Sequence, residues 1–200
     1  MKRSFTSELW GAPNILSMLR ILSPYIAIAL IGSGYCLAGL AVGTVGGLTD
    51  LFDGYIARKT GKMTRIGAFL DQLGDLIFEY TLMIFGIWIG LLPLFFVFVY
   101  LFREFVVLFV RSFMALSGKT VPSSFVGKAK TSFIQYSYFP LYLGYALATE
   151  KLAPTAWVQP LHILAIAGIG IGLALSLVSG YRYLTAFVES YLSTDKEHSG

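Results

Sequence analysis

Long apolar runs separated by short polar connections dominate the chain. Each run approaches the roughly 20 residues that an α-helix needs to cross the hydrocarbon core of a bilayer. Six runs are interpreted as transmembrane helices, over residues 14–31, 35–58, 67–90, 91–116, 130–148 and 161–183. The pattern therefore predicts an all-α integral membrane protein with six transmembrane helices.

The two ends of the chain are more polar than the runs between them. Residues 1–13 place Phe5 and Trp10 among polar neighbours, which is typical of a short amphipathic segment lying in the membrane interface. The last residues carry charge and no apolar run, which favours a disordered tail over 193–200. We expect one membrane domain over 1–200.

Composition excludes several classes of function. Hydrophobic residues make up 56% of the chain and charged residues only 13%, with a formal net charge of +4. The basic residues lie in short loops rather than on one solvated face, which argues against nucleic-acid binding. Cys36 is the single cysteine, so an intrachain disulfide or a cysteine-based metal site is excluded. Its apolar neighbours indicate a packing residue.

Basic residues are distributed unequally between the two sides of the predicted spans. Most lie on the side of the termini, in the stretches 2–3, 58–65 and 119–128 and at Lys196, whereas Lys151 falls on the other side. By the positive-inside rule, this predicts a multi-pass protein of the inner (cytoplasmic) membrane whose termini face the cytoplasm. The acidic residues discussed next would then face the cytoplasm too.

Four aspartates flank the connection between the second and third spans, with small residues and one arginine at fixed spacing. The set is Asp50, Asp53, Gly54, Ala57, Arg58, Gly67, Asp71 and Asp75. At about 100° per residue, its first four members share one face of the second helix, and Gly67, Asp71 and Asp75 share one face of the third. Two acidic faces lined with small residues are predicted to oppose each other across a short basic turn.

An ionised aspartate at the centre of a transmembrane helix costs about 2.5–3.5 kcal/mol. Four together require compensation, which two divalent cations would provide. Carboxylate oxygens without histidine or cysteine favour Mg²⁺ or Mn²⁺. Two such cations about 4 Å apart would hold a diphosphate, polarise a phosphoryl group and stabilise the leaving oxygen. The acidic stretch therefore indicates a metal-dependent site for a diphosphate.

The residues within the stretch also constrain the reaction. Gly54 and Ala57 are small enough for a ligand to pass close to the backbone, and Arg58 is placed to contact a diphosphate. No serine, cysteine or histidine is spaced as an activated nucleophile, which favours direct displacement by an acceptor hydroxyl over a covalent intermediate. A carboxylate would then take the hydroxyl proton.

Two other interpretations of the aspartates remain open. They could form buried ion pairs with Arg20, Arg58 or Arg65, although ion pairs need no fixed glycine and alanine positions. They could also line a cation or proton pathway, because intramembrane carboxylates often mark transport routes. Transporters tend to show duplicated halves or broken helices, and neither is evident in the sequence.

The spacing D-x2-D-G-x2-A-R-x8-G-x3-D-x3-D resembles the signature of the CDP-alcohol phosphotransferase family of membrane phospholipid synthases. The resemblance implies a CDP-linked lipid donor, CMP as leaving group, a small polar alcohol as acceptor, and a homodimer. By position, the implied metal ligands are Asp50, Asp53, Asp71 and Asp75. The implied contacts to CDP and its diphosphate are Asp50, Gly54, Ala57 and Arg58. Asp71 and Asp75 are the implied catalytic residues, with Asp75 as general base.

Four further basic residues suggest where the acceptor binds. Arg103 and Arg111 lie in the fourth span, and Lys128 and Lys130 open the fifth. We expect all four to converge on one cavity and bind a phosphate carried by the acceptor. The alternatives are ion pairing of Arg103, interfacial anchoring of the lysines and snorkelling of Arg111. Pairing of Arg103 with Glu104 is disfavoured because adjacent residues do not face each other on a helix.

The stretches R-E-F-x5-R, from Arg103, and G-K-x-K-T-x3-Q resemble the phosphatidylglycerophosphate synthase branch of the family, as does P-N-I-L-S before Arg20. This implies CDP-diacylglycerol as donor and sn-glycerol 3-phosphate as acceptor. That branch usually continues its third acidic position as D-P-x-x-D-K, whereas this chain has Gln72 and Leu76. This difference does not affect the predicted metal ligands. It does leave open another acceptor, such as inositol phosphate or serine.

Overall fold

The protein is described here by a computed structural model covering residues 12–60, 65–116 and 125–198; side chains are described for these ranges except at 12–13, 50–60, 65, 68, 190 and 192–198. Six helices and no strand occur in these ranges. They are α1 (Ala12–Gly32), α2 (Cys36–Thr60), α3 (Arg65–Trp88), α4 (Leu94–Leu116), α5 (Phe125–Thr149) and α6 (Thr155–His198). Each predicted span coincides with one helix, so the all-α prediction is confirmed.

The two ends of the chain differ from expectation or lie outside the described part. The predicted interfacial segment lies outside it, apart from Ala12 and Pro13, which open α1. A proline is tolerated in the first helical turn because the N–H that it lacks would have no partner there. At the other end, α6 continues to His198 although a disordered tail is predicted from residue 193. Neither glycine nor proline follows Gly180 before Gly200, so no residue breaks the helix.

Two helical stretches within the described residues are long and apolar enough to cross a bilayer, namely Asn14–Gly32 and Thr155–Glu189. Helix α3 carries four charged residues and α4 carries three, more than the one and the two in these stretches. Phe95, Phe98 and Phe102 of α4 are each more than 60% exposed. Such large exposed aromatic side chains, like the two long apolar helices, support membrane association.

Three of the interhelical turns are built alike. After α1, α3 and α5, the chain turns at Gly34, Gly90 and Lys151, each with a positive φ. In each turn, the N–H of the residue after the one with positive φ donates a hydrogen bond to the carbonyl five residues before it. The N–H of Tyr35, for example, donates to the carbonyl of Leu30 at 2.9 Å. This pairing satisfies carbonyl groups that a helix end leaves without an intrahelical partner. Glycine adopts the required φ without strain at the first two turns.

The chain divides into two compact units. The first comprises Met1–Leu91 and Tyr138–Ile163, and the second comprises Leu92–Ser137 and Leu164–Gly200. Both α5 and α6 therefore contribute a segment to each unit. The single domain over 1–200 stays a prediction.

In the first unit, α1 packs against α2 and α3. Glycines of α2, which we call the glycine stripe, make close contacts with α1: a Cβ atom added at Gly39 would lie 2.6 Å from the carbonyl oxygen of Ala27, and one at Gly46 would overlap Ser23. Ser23 in turn donates a 2.9 Å hydrogen bond to the carbonyl of Arg20, which lacks its usual helical donor because residue 24 is proline. The glycine stripe thus allows the two helices to approach closely.

Two tyrosines of α5 attach to α3 within the same unit. The Tyr138 hydroxyl donates to the carbonyl of Glu79 at 3.2 Å, and the Tyr142 hydroxyl donates to the carbonyl of Leu82 at 2.5 Å. The Tyr142 ring also stacks on Phe85, with ring centroids 6.0 Å apart. Cys36 is buried, as expected of a packing residue.

In the second unit, α6 contacts both α4 and α5 through small residues. A Cβ atom at Gly168 would overlap the hydroxyl of Ser137, and one at Gly172 would lie 2.5 Å from Cγ1 of Ile134. Gly180 of α6 faces the side chain of Arg103 on α4. Farther along, an apolar cluster joins the same two helices, formed by Val107, Val110, Met114 and Tyr183 with Val106 and Phe187 beside it.

Candidate active site

The described part of the acidic stretch lies on α3, in the first unit. Asp71 and Asp75 are one helical turn apart and both are half-buried. Gly74 lies between them and faces α1, where an added Cβ atom would lie 3.6 Å from the carbonyl oxygen of Ser17. Close packing of α3 on α1 through this glycine brings Asp75 within reach of α1.

Arg20 of α1 is the partner that this packing gives to Asp75. Its Nη1 atom lies 2.8 Å from Oδ1 of Asp75, and the Arg20 side chain is only 3% exposed. The guanidinium also lies over the ring of Phe78, 5.6 Å from the centroid. Ion pairing with Arg20, one of the alternatives for the aspartates, is therefore present at Asp75.

The other half of the acidic stretch lies on α2. Asp50, Asp53, Gly54, Ala57 and Arg58 belong to this helix, which continues to Thr60. Their side chains lie outside the described residues, so the predicted meeting of two acidic faces stays a prediction. Among the described side chains, histidine, cysteine and carboxylate groups do not gather in threes around a metal position.

The second unit contains a buried charged cluster, which we call the Glu104 cluster and which consists of Tyr100, Arg103, Glu104 and Lys130. The carboxylate of Glu104 accepts hydrogen bonds from both Arg103 Nη1 and Lys130 Nζ. Lys130 Nζ also bonds the Tyr100 hydroxyl at 3.2 Å and lies 4.7 Å from the centroid of its ring. One carboxylate thus holds two buried cations together.

The pairing of Arg103 with Glu104 differs from the expectation that neighbouring residues face apart. Their Cβ atoms do point to different sides of α4. Both side chains are long, however, and their ends meet at 2.5 Å. Lys130 shares the same carboxylate oxygen, which explains why this acid turns toward the basic groups rather than outward.

Helix α6 completes the surroundings of Arg103. Nε donates to the carbonyl of Ser176 at 3.0 Å, and Nη2 donates to the hydroxyl of Ser179 at 2.8 Å. Both serines are fully buried. With the bond to Glu104, three of the five guanidinium N–H groups are used. The remaining two, one on each Nη atom, have no partner in the described part of the chain.

The other two basic residues of the predicted acceptor site have different surroundings. Arg111 donates to the Tyr183 hydroxyl at 2.8 Å and stacks on the Tyr183 ring, with its Cζ atom 5.1 Å from the centroid. Lys128 is exposed. The structure therefore brings Arg103 and Lys130 together through Glu104, whereas Arg111, about 12 Å farther along α4, contacts a separate part of α6.

Sequence reasoning did not identify the roles of Glu104, Ser176, Ser179 and Gly180. A signal for the α6 residues is nevertheless present. Small residues recur at every fourth position along one face of this helix, at Gly168, Gly172, Ser176 and Gly180. Such a pattern indicates a helix that other helices approach closely.

Comparisons with known proteins agree with the signature. A sequence profile of the CDP-alcohol phosphatidyltransferase family matches residues 10–178. The chain is 30% identical over 171 residues to a protein of Treponema pallidum (strain Nichols) named CDP-diacylglycerol–glycerol-3-phosphate 3-phosphatidyltransferase, covering 85% of this chain and 79% of that protein. A protein of the same name from Escherichia coli (strain K12) is 30% identical over 187 residues, covering 88% of this chain and 94% of its own length.

One relative carries a different name. A cardiolipin synthase (CMP-forming) of Streptomyces coelicolor is 30% identical over 148 residues, covering 69% of this chain and 67% of that protein.

Proposed function

Because the chain belongs to the CDP-alcohol phosphatidyltransferase family, we propose that it transfers the phosphatidyl group of CDP-diacylglycerol to sn-glycerol 3-phosphate and releases CMP. The observation that carries this proposal is the complete acidic signature from Asp50 to Asp75, which lies inside the matched region. The names of the relatives that align with most of the chain support the choice of both substrates. The protein is then an enzyme of phospholipid biosynthesis.

The four aspartates Asp50, Asp53, Asp71 and Asp75 are the ligands of two divalent cations, Mg²⁺ or Mn²⁺. The ligand atoms of these four residues suit Mg²⁺ or Mn²⁺, because all of them are carboxylate oxygens, which such hard cations prefer. Asp71 and Asp75 share one side of α3 and are half-buried, as ligands reached from a cavity must be. When bound, the cations neutralise the diphosphate and stabilise the leaving oxygen.

Residues of α2 bind the nucleotide end of the donor. Asp50, Gly54, Ala57 and Arg58 contact CDP, where the small residues leave room for the ligand and the arginine contacts the diphosphate. This assignment rests on the match to the family signature.

The reaction is a direct displacement. The acceptor hydroxyl oxygen forms a bond to the phosphorus that bears diacylglycerol, and the bond from that phosphorus to the bridging diphosphate oxygen breaks. CMP leaves with the electron pair of that bond. Asp75 takes the hydroxyl proton, with Asp71 beside it as the other catalytic residue. The ion pair with Arg20 fixes Asp75 on one side and so orients its carboxylate.

The basic residues of α4 and α5 bind the phosphate of the acceptor. Arg103 and Lys130 form the centre of this site, since the Glu104 cluster already holds them together. The two N–H groups that Arg103 keeps for a ligand suit two oxygens of one phosphate. Arg111 and Lys128 add positive charge farther out, where they attract the anion before it binds.

In the membrane, the six helices span the bilayer with both termini and the active site on the cytoplasmic side. The distribution of lysine and arginine supports this orientation. A homodimer is proposed from the resemblance to the family. The exposed aromatic residues of α4 then face lipid or the second copy.

A purified sample in detergent or vesicles tests the function. CMP should be released from CDP-diacylglycerol only when both glycerol 3-phosphate and Mg²⁺ or Mn²⁺ are present. An acceptor panel including inositol phosphate, serine and phosphatidylglycerol then tests the choice of acceptor, which the differently named Streptomyces relative makes worthwhile. CMP release with another acceptor and none with glycerol 3-phosphate would overturn the acceptor. Cation flux in proteoliposomes without nucleotide, and no CMP release, would favour the transporter.

A further inference from the structure

Helix α6 contacts Arg103 through Nε and Nη2, whereas Glu104 contacts Nη1. The Ser176 carbonyl and the Ser179 hydroxyl each accept one guanidinium N–H, at 3.0 Å and 2.8 Å. Gly180 lies against the aliphatic part of the same side chain, because an added Cβ atom would lie 3.1 Å from Cγ and 3.6 Å from Nε. We call these three residues the α6 seat.

The α6 seat holds the guanidinium group of Arg103 in one orientation. An arginine side chain has several rotatable bonds, and holding it in one conformation without contacts is entropically costly. Bonds to Nε and to one hydrogen of Nη2, together with Glu104 at Nη1, fix the plane of the group. The two N–H groups that remain then point in fixed directions, one from each Nη atom.

Gly180 provides the space that this arrangement requires. The 3.1 Å distance from an added Cβ atom to Cγ is tighter than ordinary van der Waals contact, so alanine at this position would shift the Arg103 side chain or α6 by a few tenths of an ångström. Gly170 of the same helix differs in this respect, because no atom lies within 4 Å of an added Cβ there. The two glycines therefore form a matched pair for testing space around Arg103.

We propose that the α6 seat is the positioning element that aims Arg103 at the phosphate of the acceptor, and that it thereby sets the affinity for acceptors that carry a phosphate. This inference rests on the proposed function. Ser176, Ser179 and Gly180 touch Arg103 rather than the acceptor itself, so they are positioning residues. They select for the acceptor and leave the binding of the CDP-linked donor unaffected.

The test compares Ser179→Ala and Gly180→Ala with wild type and with Gly170→Ala. The quantities measured are kcat, the KM for glycerol 3-phosphate and the KM for CDP-diacylglycerol, with thermal unfolding in detergent as a control for folding. Ser179→Ala removes one bond to a charged group, so the KM for glycerol 3-phosphate should rise by about tenfold. Gly180→Ala should also raise the KM for glycerol 3-phosphate. The KM for CDP-diacylglycerol should stay unchanged in both variants. Gly170→Ala should match wild type.

Rescue separates positioning from packing. Ser179→Thr keeps a hydroxyl that accepts the Arg103 N–H, and it should retain most of the affinity for glycerol 3-phosphate. Should Ser179→Ala and Gly180→Ala leave that KM at the wild-type value, or raise the KM values of donor and acceptor equally, the inference is wrong.

The inference and the proposed function fail in different ways. If the wild type shows acceptor-dependent CMP release that Arg103→Ala weakens, while the α6 variants have no effect, only the inference falls. If the wild type uses a different phosphate-bearing acceptor, the same comparison applies with that acceptor. If it uses only acceptors without a phosphate, both the acceptor assignment and the inference are overturned.

Discussion

Arg20 of α1 and Asp75 of α3 form an ion pair, with Nη1 of the arginine 2.8 Å from Oδ1 of the aspartate. The arginine is almost completely buried, whereas the Asp75 side chain is 43% exposed. The pair thus joins the packed interior of the first unit to a carboxylate that is partly exposed. Its geometry is compatible with both a structural role and the orientation of a catalytic base.

Replacement of Arg20 separates these two roles. We expect Arg20→Ala to lower kcat by about 100-fold, because a displacement of about 1 Å in a reacting group has that effect. Arg20→Lys keeps the charge without the planar geometry and should lose less. Arg182→Ala, which removes an exposed arginine from α6, is the control. A normal kcat for folded Arg20→Ala would show that the pair has no part in catalysis.

The assignment of the metal ligands is tested by Asp71→Asn and Asp75→Asn. Each replaces a charged oxygen ligand by a neutral amide, so CMP release should fall by at least about 100-fold, and chelation of Mg²⁺ should abolish it in the wild type. Glu189→Gln makes the same chemical change at an exposed position of α6 and should remain active. Full turnover by either aspartate variant would remove that residue from the site.

Glu104→Gln tests the charge balance of the second unit. Without the carboxylate, the buried cations Arg103 and Lys130 lose the counter-charge that they share. Breaking a buried ion pair by removing one partner costs about 3–5 kcal/mol, so the midpoint of thermal unfolding should fall clearly. Differential scanning calorimetry in detergent measures it. An unchanged midpoint would mean that Glu104 contributes no stability to the cluster.

The two arginines of α4 should differ in their effect on acceptor binding. Arg103 is buried and held by three hydrogen bonds, whereas Arg111 is exposed and bonds Tyr183. Arg103→Ala should therefore raise the KM for glycerol 3-phosphate by about 100-fold, and Arg111→Ala by no more than about tenfold, since exposed charges are screened by solvent. Steady-state kinetics with varied glycerol 3-phosphate distinguish the two. Equal effects would contradict the central position given to Arg103.

Packing between α1 and α2 is tested by Gly46→Ala. The added methyl group would overlap the Ser23 side chain, so the helices must separate, at a cost of about 1–3 kcal/mol. Gly32→Ala is the matched control because an added Cβ there meets no atom within 4 Å. Thermal unfolding of the two variants compares their stability. The interpretation of the glycine stripe is wrong if Gly46→Ala is as stable as Gly32→Ala.

Local sequence determined where the helices lie and which residues are candidates for the chemistry. Apolar runs about 20 residues long predict helices because a chain in lipid must satisfy its backbone hydrogen bonds within each segment. The glycines of α2 predict a closely packed helix, and the spacing of Asp71 and Asp75 places them on one side of α3. These features depend on residues within one or two helical turns, so they can be read from the sequence without knowing the fold.

Tertiary structure alone decided which side chains meet. Arg20 and Asp75 are 55 positions apart, and Arg103 bonds Ser176 and Ser179 from positions 73 and 76 residues away. Apolar residues cover most helix faces of a membrane protein, so hydrophobicity does not reveal which face of one helix meets which face of another. The sequence by itself thus determined the helices, the family signature and the charged residues available for catalysis. The packing of small residues then decided that Asp75 is held by α1 and that Arg103 is positioned by α6.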